Sequence, residues 1–204
     1  MSIDHIFYIN LDHRTDRRFQ IEAELEGLDI PVERFPAISH KWGAIGCSKS
    51  HLAVALEAKA RGYKSFCVFE DDFQLIVSKE EFKQTIAEFI KSVPSYDVLM
   101  LNVTKPIVEE FKENVVKVLR GQSMAGYCVH EKFLDTHITL LERGGYMYEN
   151  TGDDQFCCDV YWHRVMPDSE FYTFKKLLGI QRPSYSDITK NFEDYFGVIG
   201  KPTL

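Results

Sequence analysis

Three adjacent carboxylates, Glu70, Asp71 and Asp72, close the apolar run Phe66-Cys67-Val68-Phe69. Clustered like charges disfavour one another's ionisation, so a cation among them would relieve the repulsion. Taken alone, the octapeptide that ends at Phe73 fits a solvated surface turn as well as a cation site. A second group able to do chemistry follows the apolar run 6–11, where Arg14, Arg17 and Arg18 are packed together. Thr15 or Asp16 is expected to cap a helix there. A helix start flanked by arginines is a natural seat for an anionic group such as a diphosphate, although it also fits a solvent-facing charged helix. A third, acid-rich segment carries Asp153, Asp154 and Asp159. His51, in Gly46-Cys47-Ser48-Lys49-Ser50-His51, reads by itself as an ordinary packed histidine.

The elements that must position these residues alternate. Short apolar runs at 6–11, 30–35, 64–69 and 96–102 are expected as strands, the first, third and fourth of them buried. Between them lie helical patterns: one to about Leu28, one opened by a Ser48 or Ser50 cap and ended by Gly62, and one with the capping-box pattern of Ser78 to Glu81. That alternation predicts βαβ units and a largely parallel sheet, whose ligands bind beyond the carboxyl ends of the strands. The acid triplet follows the third strand at such an end. Residues 115–119 and 122–129 are extended without a helix between them, which predicts antiparallel additions. A helix over 131–141 is expected to stop at Arg143-Gly144-Gly145, and 152–162 to form another.

With 204 residues, 45% of them apolar, one domain over 1–188 with a tail over 189–204 is expected. The net charge of −7 argues against a nucleic-acid partner. No run approaches the length needed to span a bilayer, and the N-terminus lacks the pattern of a secretory leader, so a soluble or cytoplasmic protein is expected. Five cysteines with no metal-like spacing are expected mostly as buried thiols. Gly-rich nucleotide fingerprints and a nucleophile elbow are missing from the sequence. Arginines after the first strand and acids after a central one can still share a nucleotide diphosphate if a hard divalent cation bridges it to the carboxylates.

Four stretches occur in the order and spacing of a known family. They are Tyr8-Ile9-Asn10-Leu11-Asp12-His13-Arg14-Thr15-Asp16-Arg17-Arg18, Pro36-Ala37-Ile38, Gly46-Cys47-Ser48-Lys49-Ser50-His51 and Val68-Phe69-Glu70-Asp71-Asp72. Together they resemble glycosyltransferase family 25, the lipooligosaccharide and procollagen galactosyltransferases. The likeness continues through Ser123 to Tyr127, Asp159, Gln181 and Ser186-Asp187-Ile188. It implies an α/β, GT-A type, Rossmann-like fold with a mixed, mostly parallel sheet. The implied activity is inverting transfer of a hexose, galactose first and glucose second, from a UDP-sugar to a hydroxyl on a glycan or hydroxylated protein. Carried over, Asp72 and Glu70 are expected to ligate Mn2+ or another divalent cation. Asn10, Leu11, Arg14, Arg17, Ser50, His51 and Asp71 are expected around the donor. Asp159 is the expected base, with Asp153 and Asp154 as rivals, and Asp187 is structural or shapes the site. An inactive UDP-sugar-binding protein and a metal-dependent phosphoester hydrolase are the alternatives.

Overall fold

Side chains alternate across a strand, and the first strand buries both of its faces: Ile6 and Tyr8 enter one apolar core, Phe7 and Ile9 the other. The computed structural model describes residues 3–194. In chain order its elements are β1 (His5–Asn10), α1 (Thr15–Leu25), β2 (Val32–Pro36), α2 (Gly43–Arg61), β3 (Ser65–Glu70), β4 (Phe73–Leu75), α3 (Lys79–Ser92), β5 (Val98–Met100), β6 (Thr104–Lys112), β7 (Val115–Gln122), β8 (Gly126–His130), α4 (Glu131–Thr151), α5 (Cys158–Tyr161), β9 (Phe171–Phe174), β10 (Gly179–Gln181), β11 (Ser184–Tyr185) and β12 (Phe192–Glu193). β11 and β12 pair inside the expected boundary region, and residues 195–204 of the expected tail lie outside the described residues.

An eight-stranded sheet in the order β2-β1-β3-β8-β5-β9-β7-β6 forms the middle layer. β8 and β7 run against the other six strands, so the sheet is mixed and mostly parallel. One core packs Ile21 and Leu25 of α1 and Phe82, Ile86 and Phe89 of α3 on one face. The other packs Val54 and Ala55 of α2 and Phe133, Leu134 and Ile138 of α4 on the opposite face. β6 escaped sequence reading because it is the edge strand, largely exposed and interrupted by Lys105, Glu109 and Glu110.

Several local expectations are corrected. Arg14 occupies the cap position of α1 without a side-chain cap bond, and neither Thr15 nor Asp16 caps it, because Asp16 pairs with Arg14 instead. α2 begins earlier than the serines, at Gly43, with Trp42 at its cap position. Ser50 therefore lies inside the helix, where its hydroxyl donates to the Gly46 carbonyl at 2.7 Å and accepts from the Ile38 amide at 2.8 Å. α4 runs through Gly144 and Gly145 and stops at Gly152, which adopts φ 66°. Gly144 serves close packing: a Cβ there would lie 3.1 Å from the Tyr161 ring and from the Phe156 carbonyl. Cys67 and Cys128, directly opposite each other on β3 and β8, form a disulfide, while Cys47, Cys157 and Cys158 are free. Their 61-residue separation hid that pairing.

Phe73, fully buried after the acids, fixes the turn that carries them. Its ring fills the space that side chains at Gly126 and Gly179 would need: a Cβ would come within 2.6 Å and 2.1 Å of it respectively. Overpacking of this kind costs about 1–3 kcal/mol. Gly179→Ala is therefore expected to lower the midpoint of thermal unfolding by several degrees, read by circular dichroism, and an unchanged midpoint would show that Phe73 is free to move.

Candidate active site

The acid turn leaves β3 at the carboxyl end of the sheet and returns along β4. β10 pairs with β4, matching Gln181 to Phe73, and the Arg182 amide donates to the Asp72 carbonyl at 2.6 Å. The three carboxylates face different partners. Asp71 accepts from Asn10 Nδ2 at 2.7 Å and from Arg17 Nη1 at 2.9 Å. Asp72 Oδ2 accepts from the same Arg17 nitrogen at 3.1 Å and from Gln181 Nε2 at 3.3 Å. Glu70 turns toward α2, with its Oε1 3.1 Å from His51 Nε2 and 3.3 Å from Cys47 Sγ.

One guanidinium thus pairs with two of the three acids, and Arg17 is the internal countercharge that the repulsion argument demanded. It does not complete the balance. Burial and the neighbouring Glu70 charge push the Asp72 carboxyl up to about 7 against the pull of Arg17. Burial also raises Asp71, opposed by Arg17 and Asn10. Glu70 differs: burial acts to raise it, but the hydrogen bonds and charge of its His51 and Cys47 neighbours bring it below its ordinary value. Asp72 Oδ1 is buried and has no hydrogen-bond partner. A buried carboxylate oxygen left unpaired, beside two further acids, suits a hard divalent cation.

The arginines expected to hold a diphosphate are tied down by protein groups. Arg17 also donates to Ser184 Oγ at 2.6 Å and to the Tyr185 carbonyl at 2.9 Å, and Arg14 bonds Asp187 at 2.6 Å as well as Asp16. They strap the β11 segment over the start of α1. Asn10 is 1% exposed; Arg34 grips its carbonyl side and its amide holds Asp71. Arg34 carried no signal in the sequence, since only the β1–β2 register brings it there.

Leu11, Arg17, Ser50, His51, Asp72 and Asp187 line a cavity above this end of the sheet, together with Glu70 and Asp71. Asn10 and Arg14 do not contribute to its wall. A second cavity adjoins it, lined by Ser123, Met124, Cys158 and Asp159, and Glu70, Cys47 and Gln181 belong to both. Asp153 and Asp154 are exposed and line neither. Asp153 instead caps the turn that follows α4 through the Gln155 amide.

Asp159 is carried by α5 and accepts from the Ser123 amide at 3.2 Å and the Val160 amide at 2.9 Å. Burial raises its carboxyl despite those amides. Ser123 adopts φ 98°, a conformation unusual for a residue with a side chain, and Asn102 Nδ2 holds its hydroxyl at 2.8 Å. Asn102 was missed in the sequence because it looks like the ordinary end of a strand.

The site therefore joins an acidic cradle to a neighbouring cavity whose wall includes the half-buried Asp159. A model of glycosyltransferase family 25, described as LPS biosynthesis protein, matches residues 41–150. Curated relatives include a glycosyltransferase 25 family member of Drosophila pseudoobscura pseudoobscura, 25% identical over 48% of this chain and 20% of its own length. Procollagen galactosyltransferase 1-A of Xenopus laevis is 26% identical over 56% of this chain and 24% of its own. Inactive glycosyltransferase 25 family member 3 of Mus musculus is 24% identical over 84% of this chain and 31% of its own. The chain thus spans less than a third of these relatives. Among solved structures, a glycosyltransferase involved in the glycosylation of the major capsid of PBCV-1 superposes with a TM-score of 0.56 at 9% identity, covering 84% of this chain and 81% of that one. The fold is the GT-A, Rossmann-like α/β arrangement. With the family model covering the stretch from the start of α2 through the acid turn to the end of α4, the chain belongs to glycosyltransferase family 25.

Proposed function

We propose that this chain transfers a hexose, with galactose the first choice, from a UDP-sugar to an acceptor hydroxyl on a glycan or hydroxylated protein, with inversion at the anomeric carbon. The observation that carries the reading is the shared wall. Glu70 and Gln181 border both cavities, with Asp72 in one and Asp159 in the other. A displacement needs such an arrangement, because the leaving group and the attacking hydroxyl must approach one carbon from opposite sides.

Asp72 would hold a divalent cation, Mn2+ first, through its unpaired Oδ1. Bound there, the cation would offset the negative charge that develops on the departing diphosphate. Arg17 and Asn10 fix the two aspartates so that the cradle needs no rearrangement. Asp159 takes the proton of the acceptor hydroxyl as the new glycosidic bond forms, and its raised pKa makes it a better proton acceptor than an exposed aspartate. The Ser123 amide orients it. Among the described residues no helix is long and apolar enough to cross a membrane.

A panel of UDP-sugars with Mn2+, followed by UDP release, tests the reading before any acceptor is sought. Slow donor hydrolysis is expected with one UDP-hexose, and Asp72→Ala is expected to abolish it. Equal turnover of unrelated phosphate esters would support a hydrolase. Tight UDP binding without sugar release under any acceptor would place the chain with the relatives named inactive.

A further inference from the structure

Cys47 and His51 stand four residues apart on α2, so both side chains leave the same helical face. Glu70, at the end of β3, meets them. The thiol sulfur, an imidazole nitrogen and a carboxylate oxygen all lie within 4.8 Å of one another. Cys158 of α5 lines the cavity beyond Cys47 and is not one of the three. Sulfur, nitrogen and oxygen donors in this combination suit a borderline-soft divalent ion and not a hard one.

We propose that Cys47, His51 and Glu70 form a second cation site, for Zn2+ or a divalent ion of similar softness, in the wall between the two cavities, with a fourth position left to solvent. Metal–ligand distances of about 2.0–2.3 Å place the donor atoms around a tetrahedral ion roughly 3.4–3.6 Å apart. The observed separations of 3.1 Å from Glu70 to His51 and 3.3 Å from Glu70 to Cys47 need to open by only a few tenths of an ångström. The far ring nitrogen of His51 lies 2.9 Å from the hydroxyl of the fully buried Tyr127. When Nε2 ligates, Nδ1 carries the proton and donates it to that hydroxyl, the outer partner that a ligating histidine requires. Cys47 ligates as a thiolate, and its proton passes to solvent.

This site differs from the Asp72 cradle in donor chemistry and in the side of Glu70 it uses. The site does not depend on the assignment of Asp159 as the base.

Cobalt provides a test that needs neither donor nor acceptor. The chelator-treated, desalted full chain is titrated anaerobically with Co2+, then with Zn2+, and circular dichroism verifies the fold of each variant. One equivalent of Co2+ is expected to give a near-ultraviolet sulfur-to-cobalt charge-transfer band with visible bands of tetrahedral intensity, and Zn2+ to displace it. Cys47→Ser is expected to abolish the charge-transfer band, Asp72→Asn to leave it intact. Tyr127→Phe should weaken Zn2+ binding by about 10–100-fold, the usual cost of losing an outer partner. No charge-transfer band, or one that survives in folded Cys47→Ser, would overturn the site and leave the cluster a hydrogen-bonded network alone.

Discussion

Asp159→Asn is expected to lower sugar transfer by about 10²–10⁴-fold, the range general-base catalysis contributes, while UDP binding stays unchanged. The substitution keeps size and shape and removes the proton acceptor. Its position explains why the effect should be confined to transfer: Asp159 lines the cavity beyond Glu70 and takes no part in the wall around Asp71 and Asp72. Initial rates of transfer and calorimetric titration with UDP separate the two quantities. A transfer rate equal to that of the parent protein would remove Asp159 from the chemistry. Comparable losses in transfer and in UDP affinity would assign it to donor binding instead.

The contribution of Asp72 to the stability of the metal-free protein is expected to fall as pH rises from about 4 to about 7, while the buried His137, lowered to about 3, acts in the opposite sense, so the effect is read as the difference between the parent and Asp72→Asn. In the folded state the Asp72 carboxyl titrates at about 7 against an ordinary value of 3.8. Between those values the folded chain retains a proton that the unfolded chain has released, so the folded state binds more protons and stability declines with pH. The full shift corresponds to a loss on the order of 4 kcal/mol. Glu70, held below its ordinary value of 4.5, contributes stability that is present above that value and is lost as pH falls below it, so it adds little slope across most of this window. Urea unfolding in the presence of a chelator, at several pH values, measures the slope for both proteins. Parallel slopes would mean that Asp72 is ionised in the folded state without a cation. Added Mn2+ should restore stability at pH 7 in the parent protein and not in the variant. A site that binds its ligand by countering buried charge is unstable without it, and the pH profile reads that conflict directly.

Much of the frame was visible in the sequence because burial on both faces leaves unbroken apolar runs. β1, β3, β5 and β8 were all readable for that reason, as was the cap of α3, where Ser78 accepts from the Glu81 amide. Exposed or strained pieces left no such trace. β6 is charged and lies at the edge, and β4 is only three residues long. Glycines misled at α4, where a stop signal and a close-packing signal look alike and only the Tyr161 ring distinguishes them. In the site, the acid triplet was legible as an electrostatic anomaly, but its resolution was not. Nothing in the sequence of Glu70 says that it turns to His51 while its neighbours turn to Arg17, since that choice depends on the packing of α2 and α1 at opposite faces of one strand.

The Cys67–Cys128 bond joins β3 to β8. Three residues beyond Cys67 the chain delivers Glu70, and three before Cys128 lies Ala125, whose amide donates to the Ser123 hydroxyl in the turn that orients Asp159. In the proposed reaction, leaving-group departure and proton removal would be staged from two strands that are covalently stitched side by side. The spacing between these two halves of the proposed chemistry would then be set by a cross-linked ladder as well as by the loops that carry the reactive groups.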